Sequence, residues 1–174
     1  MNICKINKPL SINSDIFQDH RGFFSKLWQG KASWIKQINI SQTKQIGSFR
    51  GIHGSFSQSE VKMVTCVSGK ILDIAVNLKP DDKDFGKVYY HELFGPNQSF
   101  VIPKGYGHAF QALTDDCTII YNHNIIYDPS DQLNVSVQSP LFNIQLPLPV
   151  TLTSDKDRDS MKITDMIQIK DLIK

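Results

Sequence analysis

Several features are missing from this chain of 174 residues, and each absence excludes something. There are three cysteines, Cys4, Cys66 and Cys117, far apart and odd in number. No two stand in a Cys-x-x-Cys arrangement, so neither a disulfide framework nor a thiolate metal site is indicated. Cys66 and Cys117 lie inside apolar runs, where a thiol acts as a small hydrophobe. No apolar run approaches the roughly 20 residues of a membrane span. Polar residues interrupt MNICKINKPLSINSDIF throughout, leaving no signal-peptide core. Charge of one sign is also lacking: the net value is +2, which gives neither a nucleic-acid footprint nor a polybasic membrane patch. No His-x-His occurs anywhere, and a catalytic metal needs three or four well-placed ligands. No repeat, low-complexity segment or linker divides the chain. The expectation is one domain over 1–174, reduced and cytoplasmic, without metal or cofactor, and large enough to bury a real core.

What is present is a succession of short strand-like runs about ten residues apart. Strands are expected from Leu10 to Phe17, and from the Asp19-His20-Arg21-Gly22 turn through Phe23 and Phe24 to Trp28. Others are expected over Gln37 to Ser41, Lys87 to Phe94, Gln98 to Ile102, His108 to Leu113 and Cys117 to Ile126. One short helical turn is placed over Gly30 to Lys36. Lys62 to Val67 and Lys70 to Leu78, joined at Ser68-Gly69, read as a β-hairpin. Val135, Val137, Ile144 and Leu146 suggest further short pieces. Only the tail reads as helical: Ser154 is a candidate cap, and Ile163, Met166, Ile167 and Ile173 recur at helical spacing. This pattern indicates a β-sandwich or barrel with a C-terminal tail over 154–174.

The chemistry concentrates in FRGIHGSFSQSEVK, Phe49 to Lys62, which places an arginine, a histidine and a lysine within thirteen positions. Histidine exchanges a proton near neutral pH, lysine holds a developing negative charge, and arginine grips phosphate in a fork. Strand alternation puts Arg50 and Ile52 on one face and Gly51 and His53 on the other. Farther on, Pro103-x-Gly105-x-x-His108 resembles the second motif of the cupin superfamily. The earlier motif that supplies metal ligands in metal-binding cupins has no counterpart, since Ser55 stands where a second histidine is needed.

Taken in order, DHRGFF, Asn39-x-Ser41, FRGIH, the lysine opening the next strand, SGKILDIAVNL with FGK, IPKGYGHAF, IIYNHNIIYDP and SDKD resemble the dTDP-4-dehydrorhamnose 3,5-epimerase family over about residues 15 to 157. The resemblance implies an all-β, cupin-type jelly roll without metal or cofactor. It also implies epimerisation of a nucleotide-linked 4-keto-6-deoxy sugar, dTDP-linked by preference, in deoxysugar or polysaccharide biosynthesis. The C4 carbonyl acidifies the protons on C3 and C5, so the reaction needs a base, an enolate stabiliser and an acid on the opposite face. By motif position, His53 matches the base, Asp157 the carboxylate that orients it, Lys62 the cation at the enolate oxygen and Tyr121 the acid. Arg21 and Arg50 match arginines that hold the diphosphate. Phe24, Gln37, Asn39, His108 and Tyr127 match residues around nucleotide and sugar, and Lys156 a lysine beside the carboxylate. The resemblance further implies a homodimer in which the first strands cross to the partner and Arg21 completes the partner's site.

Some positions depart from the family pattern. Lys26 stands where a glutamate is common, Asn122 replaces a lysine, Gln132 replaces a glutamate, and Val137-Gln138-Ser139-Pro140 replaces a W-N-D-P-like segment. An intact proton-transfer set with an altered periphery implies retained chemistry on an altered sugar or nucleotide. Two other readings use the same fold: a non-catalytic nucleotide-sugar binder, and a sugar ketoisomerase. His20, His91 and His123 carry no role in this reading.

Overall fold

The computed structural model describes residues 2–30 and 33–173. Its strands are β1 (Leu10–Asn13), β2 (Ile16–Asp19), β3 (Gly22–Ser25), β4 (Gln37–Thr43), β5 (Phe49–Ser55) and β6 (Lys62–Ser68). Then come β7 (Lys70–Asn77), β8 (Val88–Phe94), β9 (Gln98–Ile102), β10 (Tyr106–Ala112), β11 (Cys117–His123) and β12 (Gln132–Asn134). Two short helices close the chain, α1 (Asp155–Arg158) and α2 (Met166–Leu172). Among the described residues no helix is long and apolar enough to cross a membrane.

The strands form two five-stranded sheets, ordered β1-β9-β6-β11-β4 and β12-β5-β10-β7-β8, and a separate two-stranded hairpin of β2 and β3. All strand pairings within them are antiparallel. This is the jelly roll expected. Between the sheets lies a core that includes Val64, Cys66, Ile71, Ala75, Phe100, Phe110 and Ile119. β7 shows why its run is apolar on both faces. Ile71 and Ala75 point between the sheets, while Ile74 and Val76 join a second core with Phe49, Ile52, Leu133, Ile163 and Ile169. The C-terminal segment therefore covers the outer face of the second sheet, and a strand covered on both faces loses its polar alternation.

Several expectations change. Lys62–Ser68 and Lys70–Asn77 are not a hairpin, because β6 and β7 belong to different sheets. Gly69, at φ +79°, turns the corner; a side chain there would meet Cys117 Sγ at 2.8 Å and Thr114 Oγ1 at 2.9 Å. The backbone N–H and C=O of Lys70 bond to Thr114 and Leu113 across the corner, not back to β6. The single strand expected over Leu10 to Phe17 is two, broken at Ser14-Asp15, and the aromatic strand stops at Ser25 rather than reaching Trp28. β11 ends at His123, short of Ile126. In the tail, Ser154 does cap α1, accepting from the Asp157 amide at 3.1 Å. The second helix starts later than Ile163 and is capped by Asp165, while Ile163 packs as extended chain. The short helical turn placed over 30–36 falls partly on residues 31 and 32, outside the described ones; Ser33 and Trp34 form a turn.

Candidate active site

β5 carries the centre of the site, and its geometry corrects the simple alternation read from the sequence. His53 pairs with His108, but Arg50, three positions earlier, pairs with Phe110, only two positions later. β5 therefore holds one residue more than β10 across this stretch, a β-bulge, which re-aims a side chain. The result places Arg50 and His53 together on the cavity side while Ile52 is fully buried in the core. Gly51 makes the close approach possible: it sits at φ +119°, and a Cβ there would lie 2.6 Å from the His108 carbonyl oxygen and 2.6 Å from Ala109 Cβ.

The cavity at this place has a volume of about 530 Å³ and opens between the two sheets. β5 contributes Arg50 and His53, β6 Lys62, β10 His108 and Phe110, β11 Tyr121 and His123, and β4 Asn39 and Ser41. Tyr127 and Gln132 line it from the segment after β11. A second depression of about 590 Å³ shares Arg50 and His53 and continues to Lys44, Ser154, Lys156 and Asp157.

Within this space His53 Nε2 bonds Asp157 Oδ1 at 2.6 Å. Asp157 is fixed in turn by the Gly51 amide at 3.3 Å and by the cap of α1, where its own amide donates to Ser154 Oγ. Burial works against the Asp157 charge. The hydrogen bond and charge of His53 outweigh it, with the Gly51 amide, and hold the carboxyl below its ordinary range. His53 thus has an ionised carboxylate behind it and the cavity in front. His108 Nε2 bonds Asp73 Oδ1 at 2.5 Å. Burial is the larger influence on this imidazole, and despite Asp73 it pushes the pKa down, so His108 is a neutral ring at pH 7. The Tyr121 hydroxyl lies 3.1 Å from Ser41 Oγ, and burial pushes the phenol up to about 12, so it stays protonated as a potential acid. Lys62 Nζ stands 3.1 Å from Glu60 and 3.4 Å from the His53 carbonyl oxygen.

The structure thus brings together His53, Lys62, Tyr121, Arg50, Asn39, His108 and Tyr127, with Asp157 and Lys156 in the adjoining depression. Gln37 stands at the rim, donating to Asn39 Oδ1 at 3.0 Å and accepting from the Tyr127 amide at 2.8 Å. Arg50 reaches the Gln42 carbonyl at 3.0 Å. Arg21 and Phe24 are elsewhere, on the exposed β2–β3 hairpin, where Arg21 pairs with Asp19 at 2.6 Å. Of the departures, Gln132 faces the cavity, whereas Asn122 is buried on the other face of β11 from Tyr121. Ser139, in the altered segment, docks the tail by accepting from the Ile163 amide at 3.0 Å.

Three groups in the site escape the sequence reading. His123 has no role in it, yet it lines the cavity and bonds Glu60 at 2.7 Å. Its spacing of two from Tyr121 on one strand was a usable signal. Asp73, fully buried inside ILDIAV, was another, because a carboxylate among core residues demands a partner. Glu60 precedes β6 in irregular chain and gave no periodic signal. Among the described residues no group of three or more His, Cys, Asp or Glu is placed to hold a metal ion.

With this geometry established, comparison places the chain. The sequence pattern of the dTDP-4-dehydrorhamnose 3,5-epimerase family matches residues 4–165. The dTDP-4-dehydrorhamnose 3,5-epimerase of Shigella flexneri is 29% identical over 178 residues, spanning 95% of this chain and 97% of the relative. The crystal structure of dTDP-6-deoxy-D-glucose-3,5-epimerase from Legionella pneumophila, in complex with dTDP-4-keto-L-rhamnose, superposes with a TM-score of 0.84 at 28% identity, over 95% of this chain and 93% of that one. A 3'-monoepimerase from Streptomyces bikiniensis, in complex with dTDP-quinovose, gives 0.84 at 26% identity, over 99% and 90%. Fold and sequence agree along nearly the whole length, and the chain belongs to the dTDP-4-dehydrorhamnose 3,5-epimerase family of isomerases.

Proposed function

We propose that this protein inverts C3, C5 or both in a dTDP-linked 4-keto-6-deoxy sugar, as a single jelly-roll domain over 1–174 acting in a homodimer, in the cytoplasm. The observation that carries the proposal is that the His53 imidazole, the Lys62 ammonium and the Tyr121 phenol share one cavity, and that the ionised carboxylate of Asp157 reaches His53 from outside that cavity. His53, with Asp157 steadying the imidazolium, removes a proton next to the C4 carbonyl. Lys62 holds the enolate oxygen. Tyr121, kept protonated by burial, delivers a proton to the opposite face. Each inverted centre exchanges one C–H for a solvent-derived one, and no net electron transfer occurs.

The same residues divide the labour of binding. Arg50 and Lys156 border the adjoining depression, which suits a diphosphate held by charge-assisted hydrogen bonds. Gln37, Asn39, His108 and Tyr127 are available to nucleotide and sugar. Arg21 and Phe24 serve the partner's site from the β2–β3 hairpin. Gln132 alters the cavity wall itself, which favours a sugar or nucleotide that differs from the standard rhamnose precursor. A binder without chemistry has no use for a half-buried, carboxylate-backed histidine sharing a cavity with a protonated tyrosine, and this speaks for the enzyme over the scaffold.

The test is proton exchange in deuterated water, followed by NMR across dTDP-, GDP- and UDP-linked 4-keto-6-deoxy sugars. The expected result is deuterium at C3, C5 or both for the dTDP sugar, and its loss in a folded His53→Ala variant. Full exchange in that variant removes His53 from the mechanism. Binding without exchange in the native protein favours the scaffold reading. Movement of the carbonyl, with no inversion, favours the ketoisomerase.

A further inference from the structure

Three imidazole–carboxylate couples border this one cavity: His53 with Asp157, His108 with Asp73, and His123 with Glu60. The third differs from the others because its carboxylate is shared. Glu60 places Oε1 2.7 Å from His123 Nδ1 and Oε2 3.1 Å from Lys62 Nζ. The three side chains are nearly enclosed, at 12%, 11% and 11% exposure for Glu60, His123 and Lys62.

The direction of each hydrogen bond follows from the donors available. A carboxylate only accepts, so His123 donates from Nδ1, and in the neutral ring its Nε2 is then an acceptor. Asn39 Nδ2 stands 3.4 Å from that Nε2, and Asn39 Oδ1 accepts from Gln37 Nε2 at 3.0 Å. The result is a line of hydrogen bonds from Gln37 through Asn39 and His123 to Glu60, met there from the other side by Lys62. An ammonium has three donors. One goes to Glu60 and one to the His53 carbonyl oxygen at 3.4 Å, which leaves one for the cavity. The register fixes this arrangement, since Lys62 and His123 are directly paired across β6 and β11.

We propose that Glu60 and His123 are positioning residues for Lys62: together they hold the ammonium in one orientation, with a single N–H aimed at the carbonyl oxygen of the sugar. The inference rests on the epimerase reading, because it gives Lys62 an oxygen to hold. Without Glu60 the ammonium keeps the His53 carbonyl as a partner but is free to turn about it, toward solvent. Misplacement of a preorganised donor by about 1 Å costs up to roughly a hundredfold in rate. The charged and titratable groups that line the cavity with Lys62 are Glu60, Arg50, His53 with Asp157 behind it, His108 with Asp73 behind it, Tyr121, His123 and Tyr127. Only Glu60 and His123 belong to the line described, and only they can be changed without touching the base or the acid.

The test combines kinetics with a readout independent of turnover. Glu60→Gln is expected to lower kcat between tenfold and about a hundredfold with KM within about twofold, since the donor acts on charge that develops in the transition state. His123→Ala is expected to lower kcat less, and His123→Asn, which keeps a donor toward Glu60, to restore most of it. A merely structural salt bridge predicts instead that losses follow thermal stability, and that Asn is no better than Ala. Independently, carbon NMR of labelled glutamate carboxyls follows Glu60 itself. Burial raises this carboxyl, but Lys62 and His123 overcome it and bring it to about 2. In His123→Ala its midpoint moves up. Unchanged kcat in Glu60→Gln, or an unmoved Glu60 midpoint, overturns the proposal. If the native protein exchanges no proton of any keto sugar while the Glu60 midpoint moves as described, the epimerase reading fails and the hydrogen-bonded line stands.

Discussion

At the scale of single residues the decisive feature is how each charge in the cavity is held. Asp157 is kept ionised because His53 and the Gly51 amide together outweigh its burial. Asp157→Asn keeps the shape and removes the charge that steadies a protonated imidazole. Its expected effect is a fall in kcat of about a hundredfold with little change in KM, measured in the same exchange assay. Glu60 gives a second, thermodynamic prediction. Its carboxyl drops from 4.5 in the unfolded chain to about 2 in the fold. A depressed carboxylate stabilises the native state above its unfolded pKa, and that contribution disappears as pH falls through the folded value. Urea unfolding therefore shows the native protein more stable than Glu60→Gln at pH 7, by on the order of 3 kcal/mol at most. The gap narrows between pH 4.5 and about 2; a gap that stays constant with pH contradicts the assignment. These two residues also mark how far a sequence can be read. Asp157 was reached by its place in SDKD, although it lies 104 positions from His53. Glu60 was invisible, because only the pairing of β6 with β11 brings His123 to it.

At the scale of elements, most strand positions follow from alternation and turn chemistry, while the register between strands does not. The bulge in β5 is the clearest case. FRGIH reads as a regular strand with Arg50 and His53 on opposite faces, and nothing local marks Gly51 and Ile52 as two residues set against Ala109 alone. The same holds for the corner at Gly69. Ser68-Gly69 is a fair hairpin signal, but the choice between hairpin and sheet-to-sheet corner is made by Thr114 and Cys117, more than 40 positions on. The tail was legible as apolar and helix-prone, but not as the lid of the second sheet, since its partners are spread over β5, β7 and β10. A prediction belongs here. Gly51→Ala introduces a Cβ 2.6 Å from a backbone oxygen and at a φ of +119°, so neither neighbour can yield easily. The expected cost is about 1–3 kcal/mol or more in urea unfolding. Activity falls further than stability alone explains, because the bulge that aims Arg50 and His53 into one cavity is disturbed. The control is Gly22→Ala, where a Cβ meets nothing within 4 Å and only the backbone conformation is penalised.

At the scale of the molecule, one part of the chain is out of keeping with the rest. Among the described residues β2 and β3 pair only with each other, and a lone two-stranded hairpin is marginal in water. Its surface is apolar nonetheless: Phe17, Phe23 and Phe24 are 58%, 58% and 60% exposed. β4, the outer strand of its sheet, adds Ile38 and Ile40 at 63% and 71%, beside the cavity. Exposed apolar groups of this size beside an open sheet edge suit an interface between copies. Arg21 sits on that hairpin, away from the cavity of its own chain. If the hairpin crosses to a second copy, Arg21 and His53 of one working site come from different chains. Arg21→Ala and His53→Ala are then each inactive alone, while a mixture of the two refolded together regains activity. Random pairing makes half the dimers mixed, and each mixed dimer holds one site with both residues intact, so recovery approaches about a quarter of native activity. Should Arg21 serve its own chain instead, no mixed dimer has a complete site and the mixture stays inactive. That outcome would dispose of the crossed hairpin while leaving the chemistry assigned to His53, Lys62 and Tyr121 in place.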